Sequence, residues 1–248
     1  MEIKPNRIHI LNSPVDVLSM DETVSIIDQA IINKRPIRHV GVNAAKLVNM
    51  QKNKELFQSV TTCDLINADG QSVVWAARFL GKWLPSRVAG IELMQKLVEL
   101  ASFKKYKVFL LGAREEIVRK VADVYSNKYT PEIIAGYHNG YFKNNEEQQI
   151  AELITKSNAD MLFVAISSPR KEIFLNNYKN IINVPFIMGV GGSFDVVAGV
   201  TKRAPLWMQK IGMEWFFRFL QEPGRMWKRY LVTNILFIYY IIKEKFKI

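Results

Sequence analysis

The sequence predicts an α/β protein with a Rossmann-like parallel sheet flanked by helices, followed by a basic, aromatic-rich helical appendage. Two patterns predict the sheet: short runs that are apolar at every position, and amphipathic segments that alternate with them. A change in charge and aromatic content near residue 201 predicts the appendage. Within 248 residues we therefore expect a core over residues 1–200 and an appendage over residues 201–248.

The strands of the core are predicted from four runs that are apolar on both faces, as in a parallel sheet covered by helices on its two sides. These runs are residues 38–42, 107–111, 161–165 and 185–190. Between the strands, helical spacing of apolar residues predicts helices over residues 21–33, 90–103, 115–128 and 145–156. Because open parallel sheets bind ligands where their strands end, polar residues that follow these runs are the candidates for a site.

The appendage has ten basic and three acidic residues, which account for +7 of the total charge of +11, and it holds three of the five tryptophans. Such a segment indicates an anionic partner, namely phospholipid, pyrophosphate or nucleic acid, and a solvated basic face is the alternative. We expect Pro223 and Gly224 to divide it into two or three helices. The last apolar run, residues 230–242, is shorter than the ~20 residues that span a bilayer. It suits a helix in the membrane interface, or else one packed on the core or in a dimer interface.

Composition and missing motifs argue against a disordered chain, a secreted protein, and a metal- or dinucleotide-binding protein. A hydrophobic fraction of 49% and a charged fraction of 23% are typical of an ordered globular chain. The first residues lack the apolar segment of a secretion signal, and the single cysteine, Cys63, favours a reducing compartment. The three histidines have no metal-ligand spacing, and the dinucleotide and P-loop glycine patterns do not occur. We therefore expect neither a metal nor a cofactor.

Two polar residues follow predicted strands. Asn43 comes directly after the run at residues 38–42, where it either caps the next helix or binds a ligand. Asp69, followed by Gly70, comes after another short apolar run. Either these two residues form a turn, or Asp69 is a general base that faces a cleft. From the residues alone, both alternatives stay open at each position.

Glycines and arginines supply candidates for binding an anion. Gly191, Gly192 and Asp195 follow the last predicted strand, where backbone amides can approach a phosphate or a sugar closely. Gly112, after the run at residues 107–111, is a milder example. Guanidinium groups suit pyrophosphate, and nucleic acid is the competing anion, although no known nucleic-acid-binding module is recognisable. The basic candidates in the appendage are Arg203, Arg218, Arg225, Lys228 and Arg229.

The order and spacing of these residues point to one family. From about Ile10 to at least Tyr230, the chain resembles the WecG/TagA/CpsF glycosyltransferases. The short matching motifs are Asn43-Ala44, Ala68-Asp69-Gly70, Arg87-Val88-Ala89-Gly90, Gly136-Tyr137 and Gly140-Tyr141-Phe142. The longest match joins residues 189–195 to Ala198-Gly199, Arg203-Ala204-Pro205, Glu214-Trp215, Arg218, Glu222-Pro223 and Arg225.

The resemblance implies an inverting transferase that moves N-acetylmannosamine or its uronic acid from a UDP donor to an undecaprenyl-pyrophosphate-linked sugar. The product would enter a bacterial cell-surface polysaccharide. The resemblance also implies a core that requires no metal and an appendage that reaches the membrane and helps to close the site. The expected location is the cytoplasmic face of the inner membrane, as a peripheral protein. Members of the family form dimers or trimers, so self-association is expected without a fixed number, and nucleic acid is not an expected partner.

The same resemblance assigns roles to residues. Asp69 aligns with the proposed catalytic base, and Arg87, Arg218 and Arg225 align with residues thought to hold phosphates. The substrate-binding residues expected from the motifs and the resemblance together are Asn43, Arg87, Gly112, Lys171, Gly191, Gly192, Asp195, Arg218, Arg225 and Arg229.

Three positions depart from the family pattern. A common threonine is Gly41 here, and the aspartate that often follows the Arg-x-Ala-Gly motif is Glu92. A glutamine is replaced by Lys171, whose positive charge raises the hypothesis of a uronic acid donor.

Two other functions compete with the transferase: a nucleotide-sugar or lipid-phosphate binding protein without catalysis, and a basic nucleic-acid-binding α/β protein.

Overall fold

The computed structural model describes residues 5–221 and 223–246, apart from the side chains at 210, 218 and 225–231. A parallel sheet of six strands forms its core, with a two-stranded antiparallel hairpin beside it. The hairpin consists of β1 (Arg7–Ile10) and β2 (Ser13–Asp16). The strands of the sheet are β3 (Ile37–Val42), β4 (Leu65–Ala68), β5 (Val108–Gly112), β6 (Ile134–His138), β7 (Met161–Ala165) and β8 (Phe186–Gly189).

Helices alternate with the strands of the sheet and continue beyond the last one. Those of the core are α1 (Met20–Ile32), α2 (Ala44–Met50), α3 (Lys54–Thr61), α4 (Gln71–Phe79), α5 (Gly90–Lys104), α6 (Glu115–Lys128), α7 (Glu147–Lys156), α8 (Arg170–Asn177) and α9 (Ser193–Val197). Short 3-10 turns occur at Pro131–Ile133 and Asn144–Glu146. The C-terminal helices are α10 (Leu206–Lys210), α11 (Glu214–Gln221) and α12 (Pro223–Phe246).

The strand order β4-β3-β8-β7-β5-β6, with every pair parallel, confirms the predicted sheet. All four predicted strands are present, and β5 is buried along its whole length, which explains its continuous apolar sequence. The sequence does not predict β6, because this strand lies at the edge of the sheet, is half-buried and contains Gly136 instead of an apolar run.

The sheet separates two apolar layers. On one face, α1, α5 and α6 pack against alternate strand residues such as Leu110 and Phe163. On the other face, α2, α4 and α12 cover β3 and β4, while α7 and α8 cover residues such as Phe109 and Val164. Successive strand residues point to opposite layers, as the two-residue period of a strand requires. Burial on both faces leaves the strand ends as the place where polar groups meet.

The hairpin fixes the strand that carries the candidate base. The carboxylate of Asp16 is buried and accepts hydrogen bonds from Arg7 Nε and from the Ile66 amide, each at 2.6 Å. Because Ile66 belongs to β4, this contact ties the hairpin to that strand. The position of the end of β4 is therefore set from both sides, by β3 and by the hairpin.

The predicted appendage contains three helices, where the sequence predicts two or three. Pro223 is the first residue of α12, and Gly224 lies inside that helix. One face of α12 packs on the core, where Phe237 and Ile241 join the apolar layer around α2. Near its end, Glu244 accepts hydrogen bonds from the Leu11 amide at 2.6 Å and from Lys82 Nζ at 2.7 Å. Of the three possibilities for this helix, packing on the core therefore describes this face.

Another face of α12 is apolar and exposed. Its residues recur at intervals of three or four, which is the spacing of one helix face. They are Val232, Ile235, Ile238, Tyr239, Ile242 and Phe246, which we call the exposed stripe. Over residues 5–221 and 223–246, no helix is both long and apolar enough to cross a membrane.

Candidate active site

Asp69 lies directly after β4 and is fixed by the backbone on two sides. Its amide donates to Val42 O at 2.9 Å, and its Oδ1 accepts the amide of Gly90, the first residue of α5, at 2.7 Å. A carboxylate at this position also interacts favourably with the dipole of α5. Among the described residues, none donates a hydrogen bond to Asp69 Oδ2, and the residue is partly exposed. The Gly90 amide thus holds the carboxylate in one orientation, and the described residues leave its Oδ2 without a donor.

The loop before α5 extends this arrangement. Val88 is buried, and its amide donates to Ala68 O at 2.8 Å. The motif Arg87-Val88-Ala89-Gly90 therefore bonds to two consecutive residues at the end of β4: Val88 to Ala68, and Gly90 to Asp69. This is the physical reason for a motif that the sequence presents only as a match to the family.

Gly41 and Asn43 lie at the end of the neighbouring strand: Gly41 belongs to β3, and Asn43 follows its last residue. Asn43 Oδ1 accepts the Lys46 amide at 3.0 Å and so caps α2, which is the structural alternative for this residue. A Cβ placed on Gly70 would lie 3.3 Å from Asn43 Cβ, so Asn43 adjoins the Asp69-Gly70 pair. A Cβ placed on Gly41 would lie only 2.9 Å from Asp69 Cβ. The missing side chain at position 41 therefore sets the space beside Asp69.

Four charged side chains connect the core to the appendage. Arg87 donates to Glu214 at 3.1 Å and to Glu92 at 3.2 Å. Arg203 donates to Glu214 at 3.1 Å and also to Glu92. All four are partly buried, and we call them the four-charge network. Since Gly90 follows Arg87 closely in the chain, the network holds two guanidinium groups near the loop that orients Asp69.

Lys171 lies beneath the strand ends in a buried ionic cluster. Its ammonium is 3.5 Å from Glu172 Oε1, and the ammonium of Lys46 is 3.2 Å from the same oxygen. A Cβ placed on Gly189 would lie 2.6 Å from Lys171 Nζ, so the glycine makes room for the lysine. Burial, together with the nearby Lys46 ammonium, lowers the pKa of Lys171 to about 8. Glu172 Oε2 has no hydrogen-bond partner among the described residues.

A second buried polar group lies beside that cluster. His39 Nε2 is 2.9 Å from Asn67 Oδ1, and Asn67 Nδ2 donates to Thr23 Oγ1 at 3.3 Å. Because the amide oxygen can only accept, Nε2 carries the proton. Burial lowers the pKa of His39 to about 4, so the imidazole is neutral at pH 7. These side chains tie β3, β4 and α1 together below the strand ends.

The predicted glycine sites have different physical causes. Gly112 has a φ of +125°, and a Cβ there would lie 2.5 Å from the backbone of Ala165, so the ends of β5 and β7 need the glycine to pack. Gly191 has a φ of +53° with open space around it, so its conformation alone favours glycine. Gly192 precedes α9, and the carbonyl of Asp195 in that helix accepts the amides of residues 200 and 201.

Three of the predicted phosphate-binding side chains, those of Arg218, Arg225 and Arg229, lie outside the described part of the chain. Sequence reasoning did not assign Glu92, Glu214, Lys46 or Glu172 to the site. Glu214 is part of a matched motif and so carried a signal. Nothing in the spacing of Lys46 and Glu172, which are 126 residues apart, indicates that they meet.

Two clefts open near these groups. One, of about 590 Å³, begins at Asn43 and runs between α4 and α12. The other, of about 830 Å³, lies between α1, α5, α6 and α9 and includes only Arg87 and Glu92 of the groups above. Within the described residues, no three histidine, cysteine, aspartate or glutamate side chains are grouped as ligands for a metal. We take the cleft at Asn43 as part of the site because it adjoins Asp69-Gly70.

The chain matches the glycosyl transferase WecG/TagA/CpsF family over residues 8–248. It is 37% identical over 180 residues to the N-acetylglucosaminyldiphosphoundecaprenol N-acetyl-beta-D-mannosaminyltransferase of Bacillus subtilis (strain 168), covering 73% of this chain and 69% of that protein. It is 36% identical over 172 residues to the protein of the same name from Bacillus spizizenii, covering 69% of this chain and 66% of that one. The matched segments thus span about two thirds of the length of each relative.

Proposed function

The chain belongs to the glycosyl transferase WecG/TagA/CpsF family, and from that premise we propose that it transfers N-acetylmannosamine from a UDP donor to an undecaprenyl-diphosphate-linked N-acetylglucosamine. The names of the two relatives support the sugar and the acceptor. One observation supports the chemistry above all: the Gly90 amide orients the Asp69 carboxylate at the strand ends, and no described residue donates a hydrogen bond to its other oxygen.

In this proposal Asp69 is the general base. Its Oδ2 takes the proton from the acceptor hydroxyl while the hydroxyl oxygen bonds to the anomeric carbon of the donor. The bond from that carbon to UDP breaks at the same time, which inverts the configuration. The leaving diphosphate gains negative charge, and Arg87 and Arg203 can stabilise it by exchanging Glu92 and Glu214 for phosphate oxygens.

The position of Lys171 does not favour a uronic acid donor. Its ammonium is buried and already paired with Glu172, so a donor carboxylate would need to displace that partner. The uncharged donor named for the relatives agrees better with this arrangement. We therefore propose N-acetylmannosamine as the donor sugar.

We also propose that the protein works as a peripheral protein at the cytoplasmic face of the membrane, where UDP-sugars are available. The exposed stripe of α12 supports this, since apolar side chains on one helix face suit the bilayer interface. Lys243 and Lys245, in the last turn of α12, add positive charge for anionic headgroups. In this arrangement the appendage, residues 201–248, joins the bilayer to the core.

The experiment compares the wild-type protein with Asp69→Asn. UDP release is measured with UDP-N-acetylmannosamine and a short-chain diphosphate-linked N-acetylglucosamine, and UDP affinity is measured separately by calorimetry. Asparagine keeps an oxygen that can accept the Gly90 amide, so the variant removes mainly the base. We expect a loss of about 100-fold or more in turnover, with UDP affinity nearly unchanged.

Asp123→Asn is the matched control, since Asp123 is exposed on α6. It should behave as wild type. Transfer that survives in Asp69→Asn would remove Asp69 from the role of base. A wild-type protein that binds UDP but transfers none of a panel of UDP-sugars would favour the non-catalytic binding protein instead.

A further inference from the structure

The groove between α4 and α12 is apolar along most of its length. Its volume is about 590 Å³, within the range of ligand-binding pockets. Trp75 and Phe79 of α4 form one wall, and they remain 50% and 49% exposed although they face a concave surface. Ile238 and Ile242 of α12 belong to the other wall. Large apolar side chains left half-exposed in a groove indicate a site that an apolar ligand fills.

One end of this groove is polar and adjoins the candidate base. Asn43 and Ser72 line it there. A Cβ placed on Gly70 would lie 3.3 Å from Asn43 Cβ and 3.4 Å from Ser72 Oγ, and Gly70 follows Asp69 in the chain. A molecule that reacts at Asp69 can therefore continue directly into the groove.

The other end of the groove reaches the exposed stripe. Ile238 and Ile242 belong both to the groove and to that stripe. Lys245 Nζ lies 5.7 Å from the centre of the Phe79 ring, so a positive charge borders the same end. If the stripe contacts a bilayer, a hydrocarbon chain passes from the lipid into the groove without crossing water.

We propose that this groove binds the first isoprene units of the polyprenyl chain of the acceptor. The inference rests on the proposed function, which requires an acceptor with a sugar at one end and a lipid at the other. The sugar lies at Asp69, the diphosphate passes the polar end at Asn43 and Ser72, and the hydrocarbon chain occupies the groove. Trp75, Phe79 and Ile238 then determine the preference for a lipid acceptor over a soluble one.

The test uses two acceptors with the same N-acetylglucosamine diphosphate, one carrying a short alkyl group and the other a chain of a few isoprene units. Both are kept below the concentration at which they aggregate, and no vesicles are present. We expect wild type to have a kcat/KM at least about tenfold higher for the isoprenoid acceptor, because the groove removes its apolar surface from water. Ile238→Asp should lower that ratio about tenfold, since it places a charge in the groove.

Ile235→Asp is the matched control, because Ile235 and Ile238 are both isoleucines of α12 that are 59% exposed, and only Ile238 lines the groove. Its ratio of kcat/KM values should equal that of wild type. Circular dichroism and thermal unfolding of each variant report whether the protein is folded.

Three results would overturn the groove proposal alone. Equal loss of the isoprenoid preference in both variants would assign the effect to the exposed stripe as a whole. A wild-type dimer that dissociates in Ile238→Asp, seen by analytical ultracentrifugation, would make the groove an interface between copies of the chain. An unchanged preference in Ile238→Asp would place the lipid elsewhere. If the wild-type protein turned over neither acceptor, the proposed function would be refuted, and the groove proposal with it.

Discussion

The strand ends around Asp69 and the C-terminal appendage are held in place by different kinds of contact. Around Asp69 the contacts involve the backbone: Val42 O, the Val88 amide and the Gly90 amide. The appendage is attached mainly by side chains, namely the four-charge network, Glu244, and the buried pair Phe237 and Ile241. Backbone contacts fix a reacting group closely, whereas side-chain ion pairs can be exchanged for a ligand. The comparison suggests that the core sets the chemistry and that the appendage adapts to the substrate.

Gly41→Ala tests the rigid side of this comparison and should have the largest effect of the substitutions that test it. The new Cβ would lie 2.9 Å from Asp69 Cβ, so either β4 or Asp69 must shift. A displacement of a catalytic group by about 1 Å can cost about 100-fold in rate. We therefore expect turnover to fall by about 100-fold while UDP affinity changes little. Steady-state UDP release and calorimetry measure the two quantities.

Gly224→Ala is the control for that substitution. Gly224 lies in α12, its φ is not positive, and no described atom lies within 4 Å of a Cβ placed there, so an alanine meets no obstacle among the described residues. Activity should stay within about twofold of wild type. If Gly41→Ala kept full activity, the carboxylate would not be held as closely as its backbone contacts indicate.

Sequence reasoning predicts the sheet well because strands that are buried on both faces, such as β5 and β7, have continuous apolar sequences. It also singles out Asp69 and Asn43, since these follow apolar runs, whereas the Arg87 motif is found only by its match to the family. It does not find the network of Glu92 and Glu214, because ion pairs between distant segments leave no periodic signal. The threonine position of the family illustrates the limit: Gly41 reads as a simple departure, and only the structure relates it to Asp69.

Glu214→Gln tests the exchangeable side of the comparison. The change removes the Glu214 carboxylate that Arg87 and Arg203 share, and leaves Glu92 as their acidic partner among the described residues. We expect kcat/KM for the donor to fall about tenfold, because the two guanidinium groups lose their common orientation. Glu92→Gln combined with Glu214→Gln should lose less than the product of the single effects, since both act on the same arginines.

Glu116→Gln is the matched control for the network. Glu116 pairs with Arg114 at 3.2 Å, but both side chains are more than 60% exposed, so the pair contributes little. Wild-type kinetics are expected. Simple multiplication of the two single effects in the double variant would show that Glu92 and Glu214 act independently and that the four groups are not one unit.

Lys171→Gln extends the comparison to the buried charges below the strand ends and should have the smallest effect. In the folded protein the pKa of Lys171 is about 8, whereas an unfolded lysine has a pKa near 10.5. Between these values the unfolded chain binds the proton and the folded chain does not, so stability rises with pH. From pH 8 to pH 9 this group should add about 1 kcal/mol to the free energy of unfolding. Urea titrations should show that increase in wild type and in Lys179→Gln, whose lysine is exposed, but not in Lys171→Gln. The same rise in all three proteins would mean that Lys171 stays protonated in its pair with Glu172, and that its charge is available to the site after all.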